Sequence, residues 1–313
     1  MREAPPLPIG PISPTGAQYE LRHGDQSAIV TEVGATLRAY TVGGTAILDG
    51  FAPDTLPTGG RGQVLMPWPN RVAGGRYTFA GQQHQLALSE ARAQNASHGL
   101  VRWANWTLAA QAANRAVLRL VLHPQSGYPF ALALELAYTL DDHGLTVRAT
   151  ARNVGTGAAP FGVGFHPYFT TGTPTIDDAI LTVPANTTLA TDERMIPTGH
   201  VAMDNTPLDF RAPRPLGDTH LDTCYTNLIP DADGRARITL AGPSGTPRIT
   251  LTLDPAFRFA QLYSGDNLPA PDRRRGLAIE PMTCPANAFN SGDGLLILDP
   301  GQTFTASWSI HVA

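Results

Sequence analysis

The feature that most constrains the fold is a strict two-residue alternation of apolar and polar side chains over long segments. In residues 131–140 every even position is Leu or Tyr, whereas the odd positions hold Ala, Glu and Thr. Residues 145–152 and 303–312 alternate in the same way. Because successive side chains of a strand point to opposite faces of a sheet, each segment predicts a strand with one buried face. The turn sequence DDHG at 141–144 joins the first two segments into a predicted hairpin.

Shorter alternating runs predict further strands, and only residues 86–94 are compatible with a short helix. Turn residues recur between the runs, with 31 Gly and 28 Pro in the chain, and no linker marks a boundary. We therefore predict an all-β protein, with residues 17–313 forming one large antiparallel β-sandwich domain and residues 1–16 an extended arm. Periodicity alone does not give the strand order. The shorter predicted strands are 27–33, 37–42, 117–123, 180–184, 236–241, 248–253 and 257–263.

Composition excludes several classes of function. All 22 basic residues are Arg, so no lysine is present to form a Schiff base or a P-loop phosphate site. The net charge of -4 gives no electrostatic reason to bind nucleic acid. No segment approaches the ~20 apolar residues of a membrane helix, and prolines interrupt any signal-peptide core near the start. The two cysteines, Cys224 and Cys284, fit a reducing compartment, so we expect a cytoplasmic protein that binds no membrane.

Two segments contain candidates for proton transfer. His166 lies in GVGFHPYF at 162–169, among aromatic residues that can bring an imidazole pKa near neutrality. Glu280 lies in LAIEPMTCPAN at 277–287, at the end of an apolar run, where burial would raise its pKa and make it a candidate base. The alternative for His166 is a histidine that is simply buried in the core.

Three further segments contain candidates for binding polar groups. Arg71, which follows two prolines and Asn70, has a planar fork of donors suited to hydroxyls or carboxylates. His98 precedes a glycine, and Asp222 follows a leucine; a carboxylate accepts hydrogen bonds from pairs of sugar hydroxyls. Each residue also has a structural interpretation. Arg71 could pair with a structural carboxylate, His98 could be an ordinary loop residue, and Asp222 could cap a turn.

Two other features favour structural interpretations. The run Arg273-Arg274-Arg275 predicts a solvated loop, with phosphate binding as the alternative. His98, His166 and Asp222 could in principle bind a metal ion. However, no two of them have the i, i+2 or i, i+4 spacing of ligands within one element, so we expect no metal site.

Taken together, these segments resemble the aldose 1-epimerase (mutarotase) family, in particular its bacterial branch. Six pieces match in order from about residue 20 to the end of the chain. They are PNR at 69–71, HGLVRW at 98–103, GFHPYF at 164–169, LDTCYT at 221–226, QLYSG at 261–265 and EPMTCPANAFN at 280–290. The resemblance implies the galactose mutarotase-like supersandwich, in which the sugar lies in a cleft across one sheet.

The resemblance also implies a role for each candidate residue. Glu280 corresponds to the general base and His166 to the general acid, while Arg71, His98 and Asp222 correspond to residues that bind sugar hydroxyls. Asn70 and Gln261 lie in two of the matching pieces and are included as further substrate-binding residues. No cofactor and no metal is implied, because mutarotation requires only a base for the anomeric hydroxyl and an acid for the ring oxygen.

The main functional hypothesis is therefore an aldose 1-epimerase that acts on a free hexose. One alternative is a hexose-6-phosphate 1-epimerase, with Arg71, Arg102 or the arginine run as the phosphate site. A second is a non-catalytic sugar-binding β-sandwich, which would not need Glu280 and His166 together. A glycosidase would need two carboxylates flanking the scissile bond, and only Glu280 and Asp222 are available. The expected partner is a small-molecule aldose, and the protein is expected to be a monomer or a homodimer.

Overall fold

The computed structural model of the protein describes residues 11–313. The first ten residues, and with them most of the predicted N-terminal arm, lie outside the described part. In the remainder of that arm, Thr15 is buried and its carbonyl accepts a hydrogen bond of 3.0 Å from the Val33 N–H. This end of the described chain therefore packs against the sheets that follow.

Strands dominate the described residues, and the only helical elements there are a 3-10 turn at Thr58–Gly60 and the short helix α1 at Ala288–Ser291. Neither is long and apolar enough to cross a membrane. The strands up to residue 122 are β1 (Gln18–His23), β2 (Gln26–Thr31), β3 (Leu37–Val42), β4 (Thr45–Ala46), β5 (Val64–Leu65), β6 (Arg71–Ala73), β7 (Arg76–Phe79), β8 (Gln82–Gln85), β9 (Asn95–Ser97), β10 (Thr107–Ala112) and β11 (Arg115–Leu122). Those that follow are β12 (Leu132–Asp141), β13 (Gly144–Asn153), β14 (Ala159–Phe161), β15 (Gly164–Phe165), β16 (Tyr168–Phe169), β17 (Ile180–Thr182), β18 (Ala185–Thr191), β19 (Pro197–Ala202), β20 (Arg214–Pro215), β21 (Asp222–Leu228), β22 (Ala236–Ala241), β23 (Arg248–Leu253), β24 (Phe259–Tyr263), β25 (Leu277–Met282), β26 (Leu296–Leu298) and β27 (Thr303–Val312).

Two large antiparallel sheets contain most of these strands. The first has nine strands in the order β10-β11-β12-β13-β27-β23-β22-β17-β20. The second has the order β19-β18-β21-β24-β25-β15-β5, with β16 pairing beside β15 on β25. A smaller sheet, β1-β2-β3-β4, and three two-stranded pairs complete the described fold. The second sheet carries the catalytic candidates, and we call it the site sheet.

The predicted hairpin is confirmed. β12 pairs with β13 from Leu132↔Asn153 to Asp141↔Gly144, and the even-numbered residues of β12 are buried as the alternation predicts. β13 then pairs with β27, the last strand of the chain. This long-range pairing could not be predicted from periodicity, because the same two-residue pattern fits any neighbour.

The two large sheets share one core. Phe165, at the end of β15 in the site sheet, packs its ring 5.3 Å from that of Trp308 in β27 of the nine-stranded sheet. Both side chains are almost fully buried and belong to a single apolar cluster that spans the two sheets. The predicted all-β, antiparallel sandwich is therefore confirmed.

The predicted helix at 86–94 is wrong. This segment contains a turn that is closed by reciprocal backbone hydrogen bonds between Glu90 and Asn95. Gln94 adopts a left-handed backbone conformation (φ 55°), which ends any helical path. Within the segment only Leu86 is buried, whereas Leu88 is 41% exposed. The segment thus lacks the continuous apolar face that would have held a helix against the core.

Candidate active site

A cavity of about 430 Å³ lies over one face of the site sheet. This volume is within the range of small-molecule sites. All seven residues that the sequence predicted for the site line it, although they come from distant parts of the chain. They are Asn70, Arg71, His98, His166, Asp222, Gln261 and Glu280.

Strand register places three of these side chains on one face. Gln261 in β24 lies directly opposite Glu280 in β25, and Asp222 at the start of β21 lies opposite Tyr263. Since residues that face each other across a ladder share a face, and so do residues two apart on one strand, these side chains all point into the cavity. The intervening residues Leu262 and Ile279 point the other way and are buried in the core.

An interruption in the neighbouring strand brings His166 to Glu280. On β25, Gly164 pairs with Met282 and Tyr168 pairs with Ala278, so the intervening His166 falls opposite Glu280. The His166 Nε2 atom lies 3.3 Å from Glu280 Oε1, and both side chains are more than 90% buried. Two residues that are 114 positions apart (280 − 166) therefore contact each other because β15 and β16 both pair with β25.

Asn70 and His98 lie side by side in the lining of the cavity. The His98 N–H donates to the Asn70 carbonyl (2.8 Å), and the Asn70 N–H donates to Nδ1 of His98 (3.2 Å). Both residues have positive φ angles, 55° and 62°, at the ends of the short paired strands β6 and β9. Because its Nδ1 accepts a hydrogen bond, neutral His98 carries its proton on Nε2 and can donate it to a ligand.

Arg71 pairs with a carboxylate that sequence analysis missed. Its Nε and Nη2 atoms donate to the two oxygens of Glu90 at 2.8 and 2.9 Å, and Nη1 lies 3.4 Å from Asn70 Oδ1. The structural-carboxylate interpretation of Arg71 is thus correct as far as the pairing goes. However, Arg71 and Glu90 both line the cavity. Glu90 was missed because it lies in the segment that was predicted to be helical, where its carboxylate looked like a surface charge.

A chain of side-chain amides connects Asn70 to Asp222. Asn70 Nδ2 donates to Gln261 Oε1 (3.4 Å), and Gln261 Nε2 donates to Asp222 Oδ1 (2.6 Å). Among the described residues, no backbone N–H donates to the Asp222 carboxylate. The turn-cap interpretation of Asp222 is therefore wrong, and its second oxygen, Oδ2, makes no hydrogen bond within the described chain.

We expect Asp222→Ala to raise KM about 10- to 100-fold with a smaller loss of kcat, because a hydrogen bond to a charged group contributes roughly 1.5–3 kcal/mol. Steady-state kinetics and a melting temperature measured on the same preparation check this. Asp254→Ala is the matched control, since the Asp254 carboxylate accepts from the Ala256 N–H in a turn outside the cavity. If Asp222→Ala keeps the wild-type KM and only lowers the melting temperature, Asp222 is a structural residue and does not bind the substrate.

Burial shifts the titration of the central groups away from their charged forms. It raises the pKa of Glu280 well above the ordinary glutamate value, and the nearby Asp222 raises it further. Burial likewise lowers the pKa of His166 and of His98, with nearby arginines adding to the effect. Glu280 Oε2 is buried and has no hydrogen-bond partner within the described chain. The site thus holds a carboxyl oxygen that is available to a ligand.

Arg102 is an unusual cation at this site. Its guanidinium donates to Gln63 Oε1 (3.2 Å), and none of the ion pairs among residues 11–313 includes it. Burial lowers its pKa, and the Nε2 atom of Gln63 is itself buried without a partner. Trp103, beside Arg102, is 52% exposed and also lines the cavity.

Ion pairs hold two arginines of the run Arg273-Arg274-Arg275 in the structure. Arg274 is ion-paired with Asp177 and Asp266, and Arg275 with Asp49 and Asp272. The run does lie in a loop, and Arg273 is exposed, but carboxylates pair with Arg274 and Arg275 and restrict their side chains. None of the three arginines lines the cavity.

Neither thiols nor a ligand cluster are arranged for catalysis in the described residues. Cys224 and Cys284 are buried free thiols, and burial raises the pKa of both, which disfavours the reactive thiolate. Within residues 11–313, no group of three or more His, Cys, Asp or Glu side chains is arranged to hold a metal ion.

Comparisons with known proteins identify relatives in both sequence and structure. The uncharacterized protein YihR of Escherichia coli K12 is 36% identical over 310 residues, which cover 99% of this chain and 97% of that protein. Human galactose mutarotase is 33% identical over 173 residues, which cover 53% of this chain and 49% of that protein. The solved structure of the GalM/aldose epimerase homologue from C. elegans superposes with a TM-score of 0.85, at 18% identity, over 95% of this chain and 98% of that one.

The C. elegans structure supports the fold alone, because its sequence identity to this chain is low. The family assignment instead depends on the sequence match across almost the whole described chain. The model of the family described as aldose 1-epimerase matches residues 17–311, a span that contains all seven predicted site residues. The chain therefore belongs to the aldose 1-epimerase family.

Proposed function

We propose that this protein is a mutarotase that interconverts the α and β anomers of a free hexose by acid–base ring opening and reclosure. The observation that carries the proposal is the 3.3 Å contact between His166 Nε2 and Glu280 Oε1 in the cavity. In a pyranose, the anomeric hydroxyl and the ring oxygen are both bonded to C1. An acid and a base that act on these two oxygens must therefore be close neighbours, as these two groups are.

Ring opening requires two proton transfers. Glu280 takes the proton of the O1 hydroxyl, the C1–O1 bond becomes a carbonyl, and the bond from C1 to the ring oxygen breaks. His166 donates a proton to the departing ring oxygen, which becomes a hydroxyl. The open-chain aldehyde then rotates about its C1–C2 bond. For closure the two groups exchange roles, so the other anomer leaves and the enzyme returns to its initial protonation state.

The remaining cavity residues hold the ring in place during this exchange. Asp222 Oδ2 is free to accept a hydrogen bond from a sugar hydroxyl, and His98 Nε2 can donate one to a hydroxyl oxygen. Arg71 can donate through Nη1, the one terminal nitrogen of its guanidinium that Glu90 does not bind. Gln261 and Asn70 fix the Asp222 side chain through the amide chain described above. The reaction transfers protons only and changes no oxidation state, so it requires neither a metal ion nor a nucleotide cofactor.

A second candidate is a hexose-6-phosphate 1-epimerase, and the Arg102 guanidinium favours it. A half-buried cation without a carboxylate partner is costly, and an anionic ligand group would offset that cost. Arg71 fits this role less well because Glu90 already binds its fork. The Arg273–Arg275 run lies outside the cavity.

Polarimetry of freshly dissolved α-glucose, α-galactose and glucose 6-phosphate tests both candidates. We expect the purified protein to accelerate the approach to anomeric equilibrium for at least one free aldose. Arg102→Met separates the candidates, since it should abolish a preference for the 6-phosphate but leave the rate for a free aldose within a few-fold. Saturable sugar binding without any acceleration would instead identify a non-catalytic sugar-binding protein and overturn both proposals.

A further inference from the structure

The imidazole of His166 lacks the hydrogen bond that usually orients a functional histidine. One ring nitrogen of such a residue commonly binds a carbonyl or carboxylate, which fixes both the ring and its tautomer. In this protein, Nδ1 of His166 is buried and makes no hydrogen bond to any other residue within residues 11–313; the residue's own backbone is its nearest polar neighbour. Since Nε2 faces Glu280, some other contact must keep the ring from turning.

Tyr168 supplies a broad contact of this kind. Its ring lies nearly parallel to the His166 imidazole, with an interplanar angle of 11° and a centroid distance of 5.2 Å. Pairing of β16 with β25 fixes the Tyr168 backbone, and the phenol donates to the Gly59 carbonyl (2.8 Å). Both the backbone and the phenol of Tyr168 are therefore held in place, so its ring has a fixed position beside the imidazole.

The buried side chain of Arg61 packs against the Tyr168 ring and links it to the turn at Thr58–Gly60. The Arg61 guanidinium lies 4.6 Å from the centre of the Tyr168 ring, which is within the range of a cation–π contact. Arg61 is 1% exposed, and its Nε and Nη2 atoms both donate to Asp49 Oδ2, at 3.1 and 3.0 Å. Its Nη1 atom donates to the carbonyl and the hydroxyl of Thr58, beside the glycine that binds the phenol.

Gly60 packs directly against the imidazole. A Cβ atom at this position would lie 2.9 Å from His166 Cδ2 and 3.2 Å from Nε2, so any side chain there would push the ring. Gly60 also has a φ of 80°, which favours glycine. The His166 ring is thus confined by the glycine backbone and the Tyr168 face without a hydrogen bond on Nδ1.

We propose that Tyr168, braced by Arg61 and Asp49, is a positioning residue that holds the His166 imidazole in its reactive orientation by stacking. The proposal rests on the mutarotase function proposed above, because the orientation matters through proton transfer to the sugar. Tyr168 itself touches neither the anomeric hydroxyl nor the ring oxygen in this scheme. Its loss should therefore lower kcat and leave sugar affinity nearly unchanged.

The first test compares Tyr168→Phe with Tyr168→Leu. The Phe variant keeps the stacked ring and should retain kcat within a few-fold, whereas the Leu variant should lose roughly 10- to 100-fold, with KM changed little. Tyr138→Leu is the matched control, because Tyr138 is equally buried and its phenol also donates to a backbone carbonyl, that of Ala35. If Tyr168→Leu and Tyr138→Leu lose the same activity per folded molecule, Tyr168 has only a structural role and the proposal is overturned.

The second test moves the imidazole without altering Tyr168. Gly60→Ala should lower kcat at least tenfold, because its methyl group displaces the His166 ring. Gly172→Ala is its control: φ is 82° there, so the backbone strain is alike, but no atom lies within 4 Å of the added Cβ. Equal activities for the two alanine variants would show that the ring tolerates displacement and would contradict the proposal.

A third measurement needs no variant at Tyr168 and no activity. In the protein labelled with 13C-histidine, the ring signal of His166, assigned with His166→Asn, should be shifted by the ring current of Tyr168. A His166 signal at the position of an unstacked histidine would overturn the stacking. An inactive wild-type protein would refute the mutarotase function separately, because this NMR result does not depend on turnover.

Discussion

Glu280→Gln is expected to lower kcat by ~10²-fold or more while KM changes little. Gln preserves the shape of the side chain and its place opposite Gln261 in the sheet, but its amide cannot accept the O1 proton. The loss therefore appears in the chemical step rather than in binding. Polarimetry under saturating and limiting sugar separates the two constants.

Glu135→Gln is the control for this substitution. Glu135 is also a strand residue, in β12, but it faces solvent and pairs with Arg119 outside the cavity. We expect wild-type kinetics from it. Near-full mutarotation by Glu280→Gln would show that Glu280 is not the base. A loss shared equally by both variants would indicate damage to the fold rather than to the chemistry.

His166→Asn is expected to remove most of the activity and to change the shape of the pH profile. In the active form of the wild-type protein, Glu280 and His166 together hold one transferable proton. A second proton added at low pH blocks the base, and loss of the only proton at high pH removes the acid, so kcat/KM against pH is bell-shaped. Without the imidazole, the residual rate depends on Glu280 alone and should rise with pH without an alkaline decline.

The directions of the pKa shifts indicate which residue sets each limb of the wild-type pH profile. The sequence predicted an ionised Glu280 and a protonated His166, but burial favours the neutral form of each. The two descriptions contain the same number of protons and differ only in which residue holds one, so the proton must pass from Glu280 to His166 across their 3.3 Å contact before Glu280 can accept the O1 proton. The lowered His166 pKa moves the acidic limb below the ordinary histidine value. The raised Glu280 pKa moves the alkaline limb above the ordinary glutamate value, because the proton lost on that limb comes from the buried Glu280 carboxyl.

Measurement of kcat/KM across the pH range for wild type and His166→Asn checks this prediction, because that ratio reports the free enzyme. His84→Asn is a suitable control, since His84 stacks on Tyr77 in a separate surface hairpin. An alkaline limb that persists unchanged in His166→Asn would mean that another group donates the proton, and the pairing with Glu280 would be wrong.

Much of this arrangement was predictable from the sequence, because the predictive signals were local. The alternation in β12 and β13 identified the hairpin, and the burial of Leu132 to Leu140 on one face follows directly from it. Glu280 and His166 were recognisable because each is a polar residue in an apolar segment bounded by Pro or Gly. What the sequence could not give is that β15 and β16 pair with the same strand and so bring the two residues together.

The residues that sequence analysis missed owe their roles to distant partners. Arg61 is an arginine between glycines, a context that suggests a surface turn, yet Asp49 and Tyr168 enclose it. Glu90 lies in the segment that was predicted to be a short helix, whereas its pairing with Arg71 depends on the β6–β9 contact. Long-range contacts of this kind leave no periodic trace in a single sequence.

The interrupted strand opposite Glu280 has a consequence for how such a protein can diversify. Glu280 and His166, the proposed base and acid, are held by strand pairing in the middle of a sheet whose reverse face is core, so a substitution there would affect both folding and the proposed reaction. Glu90, His98 and Arg102 lie instead in loop segments that line the cavity. Because loops tolerate substitution far better than paired strands, sugar preference is free to drift among descendants of one ancestor while the reaction stays constant.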